Sequence, residues 1–257
     1  MSEIPYPDLV RLAVHQEKLP NFLHKYRTID STKKMLENNS MWFSSPKNFN
    51  DPFDCQIIPN TNNTESEIRK FLRDNINDLS DSEIDNLAKI TFNQPSKWKN
   101  TIEKTFDSII NSTGICCFTE NPKNLLMWSH YTDCHKGVCL KFNLLKDPSF
   151  FVYPLPVNYQ DKYPDYNHLG DRNDLIKDII LTKSSDWKYE NEIRVMKLNK
   201  IGLVPFKKEC LEEIIFGYRT EQKDIDSIME LSKSRGFNIE FKRSGVSTFD
   251  VTFFMSL

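Results

Sequence analysis

Apolar and polar residues change period several times along this chain, and each change marks an element. Leu9, Leu12 and Ala13, with Leu19 beyond, recur at helical spacing and predict a short N-terminal helix. "PNFLHKYRTI" alternates instead, which predicts a strand from Phe22 to Arg27. "DSTKKMLENN" offers a cap at Asp30 or Ser31 and a short helix ending at the Asn pair. "SMWFSSP" reads as a second strand stopped by Pro46, and "KNFNDPFDCQII" is rich in turn residues. From Thr61 to Ser112, charges surround apolar residues at helical spacing, which predicts two or three amphipathic helices inserted between strands.

The next block is "GICCFTENPKNLLMWSHYTDCHKGVCLKFNL", which reads as strand, short helix and strand with Gly137 breaking the helix. "FVYPLPVNYQD" predicts a further strand and Asp174 to Lys183 a helix. "CLEEIIFGYR" predicts a strand ending at Gly217, "EQKDIDSIMELSKSRG" a helix, and "NIEFKRSGVSTFDVTFF" a closing hairpin. Strands with interspersed helices and no internal repeat define an α+β class: one domain over 1–257, with a helical insertion at 61–112.

"DWKYENEIRV" carries the most pointed alternation. As one strand it places Lys188, Glu190, Glu192 and Arg194 on one face, with the two carboxylates roughly 7 Å apart. Carboxylates that close raise one another's proton affinity, so the pair is candidate chemistry. A solvated charged face is the plain alternative.

Composition narrows the field. Lys plus Arg number 34 against 36 Asp plus Glu, a net charge of -2, which argues against a broad basic duplex-binding face. The start "MSEIPYPDLV" has no basic, apolar leader pattern, and no apolar run approaches membrane-spanning length, so neither export nor a membrane partner is expected. Six cysteines without a CxxC pair suit reduced thiols in the cytoplasm, and no disulfide is expected. With no GxG among seven glycines, a phosphate must be held by other means than a glycine loop. His130 and Cys134 would share a helix face, with His135 beside them, but two ligands do not fix a zinc. Trp128 and Tyr131, with Trp187 and Tyr189, could wall a flat ring such as nicotinamide or adenine.

"HKYR", "LENNSMWFSSPKNFNDPFDC", "CFTENPKNLLMWSHYTDCHKGVCLKF" and "KSSDWKYENEIRV…EEIIFG" resemble the bacterial domain-of-unknown-function family 2971. The order of elements is also similar to the ADP-ribosyltransferase fold, a split β-sheet core with flanking helices. That resemblance implies an NAD-dependent glycosyltransferase-class enzyme with NAD as co-substrate and a protein or nucleic-acid acceptor. Such enzymes are often toxins or phage-defence effectors, so an antitoxin or regulatory partner is also implied. It further implies that Glu192 is the catalytic carboxylate and Glu190 the upstream one. Lys25, Tyr26, Arg27, Ser44, Thr119, Trp128 and Tyr131 would contact NAD, with Lys25 or Arg27 at the pyrophosphate. "CFT" departs from a full Ser-Thr-Ser motif.

Two other classes compete. One is a metal-dependent nuclease placing Asp51 or Asp54 with Glu190 and Glu192 around Mg²⁺, although Arg194 replaces the usual activating lysine. The other is a non-catalytic nucleotide- or RNA-binding module that uses the same aromatic cleft.

Overall fold

In a computed structural model, residues 5–56, 58–60, 62–152, 154–167, 169, 179–248 and 250–256 are described. Along the chain run α1 (Tyr6–His15), β1 (Phe22–Arg27), α2 (Ile29–Asn38), β2 (Ser40–Phe43) and β3 (Ile58–Asn60). Then come α3 (Glu65–Asn75), α4 (Asp81–Phe92), α5 (Pro95–Ser112), β4 (Gly114–Thr119), α6 (Leu125–Tyr131) and β5 (Val138–Asn143). The short strands β6 (Pro154–Pro156), β7 (Asn158–Gln160), β8 (Asp165–Asn167) and β9 (Thr182–Ser184) precede β10 (Glu192–Lys197) and β11 (Gly202–Pro205). The chain closes with β12 (Leu211–Phe216), α7 (Gln222–Ser234), β13 (Glu240–Thr248) and β14 (Asp250–Ser256). The class is α+β, with a central mixed sheet.

The chain divides into two compact units. The first (1–45, 113–157 and 186–257) holds an eight-stranded sheet in the order β14-β13-β12-β5-β1-β4-β10-β6. Only β12 and β13 run parallel; every other neighbouring pair is antiparallel. Leu23, Leu140, Phe142, Phe118, Ile193, Val195 and Ile214 project from one face. They meet Val10 and Val14 of α1, Met35 and Leu36 of α2, and Ile225 and Ile228 of α7. Each such side chain contributes about 1.5–3 kcal/mol on burial, which makes this layer the main source of cohesion.

Helix α2 starts where the Thr28 hydroxyl accepts the Ser31 N–H at 3.3 Å, so the cap is Thr28 rather than Asp30 or Ser31. It stops at Asn39, whose left-handed φ of 46° asparagine tolerates well. The ribbon β2–β11 pairs Trp42 with Leu203.

The second unit (46–112 and 158–185) contains the helices expected over 61–112. Thr64 and Ser80 each form a reciprocal capping box, with Glu67 and Glu83 respectively. Ile68, Leu72, Ile84 and Ala88 pack α3 against α4. Parallel pairs β3–β8 and β7–β9 complete the unit. Of the helix expected from Asp174 to Lys183, residues 174–178 lie outside the described set, and Thr182–Ser184 is a strand. No helix among the described residues is long and apolar enough to cross a membrane. All six cysteines are free thiols.

Gly137 is fixed by close approach. A Cβ there would lie 2.1 Å from the Arg27 carbonyl oxygen and 2.9 Å from Thr132 Cβ. Gly137→Ala must therefore push β5 away from β1 and is expected to lower unfolding stability by about 2 kcal/mol or more. Urea denaturation measures this, and an unchanged midpoint would show that the strands can part at that point without cost.

Candidate functional site

The register of three neighbouring strands builds the site. In an antiparallel ladder, directly paired residues point their side chains to the same face. Thr119 of β4 pairs with His24 of β1 on one side and with Glu192 of β10 on the other. His24 in turn pairs with Lys141 of β5, and Lys141 with Glu213 of β12. A polar row Glu213–Lys141–His24–Thr119–Glu192 thus crosses the sheet on the face opposite α1, α2 and α7. His24 and Glu192, two strands apart, stand about 10 Å from each other.

The strand expected through the whole of Asp186 to Val195 is not continuous. Ser185–Glu190 is a 3-10 turn, Asn191 takes a left-handed φ of 44°, and the strand begins at Glu192. Glycine, asparagine and aspartate enter that region most easily, so the ENE asparagine breaks the alternation. The solvated-face alternative also fails, because Glu190 is 3% exposed, Glu192 5% and Arg194 0%. Arg194 grips the Glu192 carboxylate with two bonds, Nε to Oε1 at 2.8 Å and Nη2 to Oε2 at 3.2 Å. Burying an arginine without such a partner would be strongly unfavourable. Cys117, paired with Arg194 across the ladder, sits beside the same carboxylate. Burial, with the Glu192 charge next, pushes its thiol well up and keeps it protonated.

Helix α6 anchors the 3-10 turn. Asn124 donates to the Tyr189 carbonyl at 2.9 Å, and His130 shares a 3.1 Å hydrogen bond with the Tyr189 hydroxyl. Tyr131 donates its hydroxyl to Glu190 Oε1 at 2.5 Å. Beneath α6, Tyr26, Met127, Trp128, Cys139 and Ile215 form a small apolar cluster.

The other expected contacts divide clearly. Lys25 and Arg27 lie on the face away from Glu192, because strand parity groups them with the buried Leu23. The Lys25 ammonium donates to the Cys117 carbonyl at 2.6 Å and rests 5.3 Å from the Phe118 ring centre. Arg27 donates to the Ser31 carbonyl at 3.3 Å, and burial lowers its guanidinium below its usual range. Ser44 bridges to Ile115, four residues along β4 from Thr119 and hence about 13 Å away. Trp128 is fully buried and donates to the Pro122 carbonyl at 2.9 Å, so it is core and not a ligand wall. Tyr26 faces the site side, but its hydroxyl donates to the Asn121 carbonyl at 2.9 Å and its ring meets Trp128 edge-on. The structure brings Thr119 and Glu192 together, and Glu190 with Tyr131.

Sequence reasoning missed His24. The signal was present: Phe22, His24 and Tyr26 alternate with Leu23, Lys25 and Arg27, and only one set can share a face with the apolar core. His24 is 8% exposed and its Nδ1 has no partner. Nor does the helix reading of His130, Cys134 and His135 hold. Helix α6 ends at Tyr131, and Asp133, Cys134 and His135 all take left-handed φ values of 49°, 55° and 69°. Among the described residues, no group of three or more His, Cys, Asp or Glu side chains is placed to hold a metal ion.

Residues 127–195 match the model of a family described as a protein of unknown function, DUF2971; the span includes α6 from Met127 onward, β5, Glu190 and Glu192. No curated protein and no solved structure matches the chain.

Burial, with Lys141 second, lowers the His24 imidazole to about 4. Between about pH 6.5 and pH 4 the unfolded chain therefore takes up a proton that the folded chain refuses, and stability falls as pH drops through that window. His24 alone is expected to cost about 2.5 kcal/mol between pH 7 and pH 4.5. Urea unfolding of His24→Asn should show a correspondingly shallower loss. Equal pH dependence in both proteins would mean that His24 titrates normally.

Proposed function

We propose that the chain is an NAD-dependent ADP-ribosyltransferase that modifies a protein or nucleic-acid acceptor. The observation that carries this reading is the double pairing of Thr119, which sets His24 of the first-strand motif, Thr119 and Glu192 on adjacent strands in one row. Its ADP-ribosyltransferase-like fold belongs to the same proposal. The unpartnered, buried His24 Nδ1 fits a ligand hydroxyl or amide arriving beside Thr119.

Bound NAD supplies a ribose carbon that gains positive charge as nicotinamide leaves. Glu192 accepts a hydrogen bond from the ribose and stabilises that charge, held in orientation by Arg194. His24, neutral at pH 7, exchanges hydrogen bonds with the sugar or the nicotinamide amide without adding repulsive charge. Lys141, next to His24 in the row, offers a cation on that face for the diphosphate, the role that Lys25 and Arg27 cannot fill from the other side. Glu190, with its carboxylate set by Tyr131, positions the incoming nucleophile and takes its proton.

The bidentate Arg194 contact favours a second reading, in which Glu192 serves only as the partner of a buried arginine. Labelled-NAD turnover separates the two. Glu192→Gln should lower turnover by about two orders of magnitude or more, since such electrostatic contributions are worth about 3 kcal/mol, with NAD affinity little changed. It should also lower stability, because Arg194 loses the charge of this partner, so the comparison is made where circular dichroism reports a folded chain. Glu190→Gln removes a carboxylate bonded to a neutral tyrosine and should impair transfer more than NAD hydrolysis. Wild-type turnover in folded Glu192→Gln would leave only the structural role. Chelator-sensitive cleavage of nucleic acid without label transfer would favour the nuclease.

A further inference from the structure

Beyond the polar row, the loop that closes α6 and the turn after β12 border a groove of about 480 Å³. Its lining includes Leu125 and Ser129 of α6, His135, Tyr218, Arg219 and Ser244. Leu125 and Ser129 lie on the outer side of α6, while Met127 and Trp128 are buried beneath the helix. The volume falls in the range of sites for small organic molecules.

The walls are held rigidly by their backbones. Arg219 N–H donates to the His135 carbonyl at 2.9 Å, and Gly217 N–H donates to the Gly137 carbonyl at 2.9 Å. The Thr220 hydroxyl reaches the Lys136 and Gly137 carbonyls at 3.0 Å each. Arg243 donates to the carbonyls of Tyr218 at 3.4 Å and Thr220 at 3.0 Å. A Cβ on Gly217 would lie 2.2 Å from the His135 carbonyl oxygen, so the turn and the loop touch through bare backbone. Three successive left-handed residues, Asp133 to His135, are sustained by these contacts. Trp128 backs the His135 ring with near-parallel planes 10° apart.

The side chains of Tyr218, Arg219 and Leu125, by contrast, are left open. Tyr218 is 55% exposed and Leu125 42%. No hydrogen bond or ion pair among the described residues engages the Arg219 guanidinium, and no carboxylate lines the groove. Partial burial and the nearby Arg219 lower the His135 imidazole, leaving it neutral at pH 7 as both donor and acceptor. One free guanidinium, one exposed aromatic face, one apolar wall and several short polar groups make a donor set for a flat ring carrying a single anionic group.

We infer that this groove binds a 5′-nucleotide, its base between Tyr218 and Leu125 and its phosphate on Arg219. Ser129, Ser244 and His135 supply hydrogen bonds to base and sugar. The nucleotide is either free or the 5′ end of a single strand, since both present the same chemistry.

Calorimetric titration with AMP, adenosine, ribose 5-phosphate and a 5′-phosphorylated trinucleotide tests it. AMP should bind, with adenosine and ribose 5-phosphate each weaker by about tenfold or more, because each lacks one of the two anchors. Arg219→Gln should bring AMP down to the adenosine level, and Tyr218→Ala to the ribose 5-phosphate level. Both alter exposed side chains, so the fold is retained. Lys141→Gln, which removes the cation proposed for the NAD diphosphate, should leave AMP affinity unchanged, which separates this groove from the proposed NAD site and keeps its test independent of turnover. A trinucleotide tighter than AMP identifies the strand end as the ligand; equal affinity identifies the free nucleotide. Absence of AMP binding, AMP no tighter than adenosine, AMP affinity that depends on Lys141, or affinity unchanged in both groove variants would each overturn the assignment.

Discussion

β4 is hydrogen-bonded on both edges, to β1 and to β10, and Thr119 is the residue at which the two ladders meet. A slip of one residue in either ladder would turn every side chain of that neighbour to the other face. The slip is prevented by the apolar layer behind: Leu23, Phe118, Ile193 and Val195 must all face α1, α2 and α7. The same parity that buries these residues obliges His24, Thr119 and Glu192 to share the opposite face. Packing on one side thus determines the chemistry available on the other.

That opposite face carries an energetic burden. Arg194 is fully buried, and Glu192 engages its charge through two hydrogen bonds. Replacing such a pair with apolar residues is often neutral or stabilising, so stability alone gives no reason for it to be ionic. A fixed, oriented carboxylate at the end of a row with an imidazole whose Nδ1 has no partner is more useful for chemistry than for cohesion. Tyr131 and the Asn124 cap of α6 place Glu190 by separate means, which lets the two glutamates serve different partners.

Much of this was legible in the chain. The alternation of Phe22 to Arg27 gave a strand with those bounds, and the helix after Gly217 runs from Gln222 to Ser234. The thiol state followed from cysteine spacing. What alternation could not reveal was the local backbone at Asn191, where a left-handed residue converts an apparent strand into a turn followed by a strand. Nor could composition decide which parity of "HKYR" faces inward until the partners of Leu23 were known. Trp128 looked like a ligand wall because aromatics suit both cores and clefts. Its burial is set by Tyr26, Cys139 and Ile215, which come from distant parts of the chain. The groove beside Arg219 has no sequence signature, since its lining is gathered from α6, the turn after β12, and β13.

The most direct measurement is a crystal structure of the protein with NAD. The account predicts the nicotinamide ribose within hydrogen-bond reach of the Glu192 carboxylate, with His24 and Thr119 on the same side of the sheet and the diphosphate toward Lys141. NAD bound on the Lys25 and Arg27 face, or bound with Glu192 still closed on Arg194 and out of reach of the ribose, would contradict it.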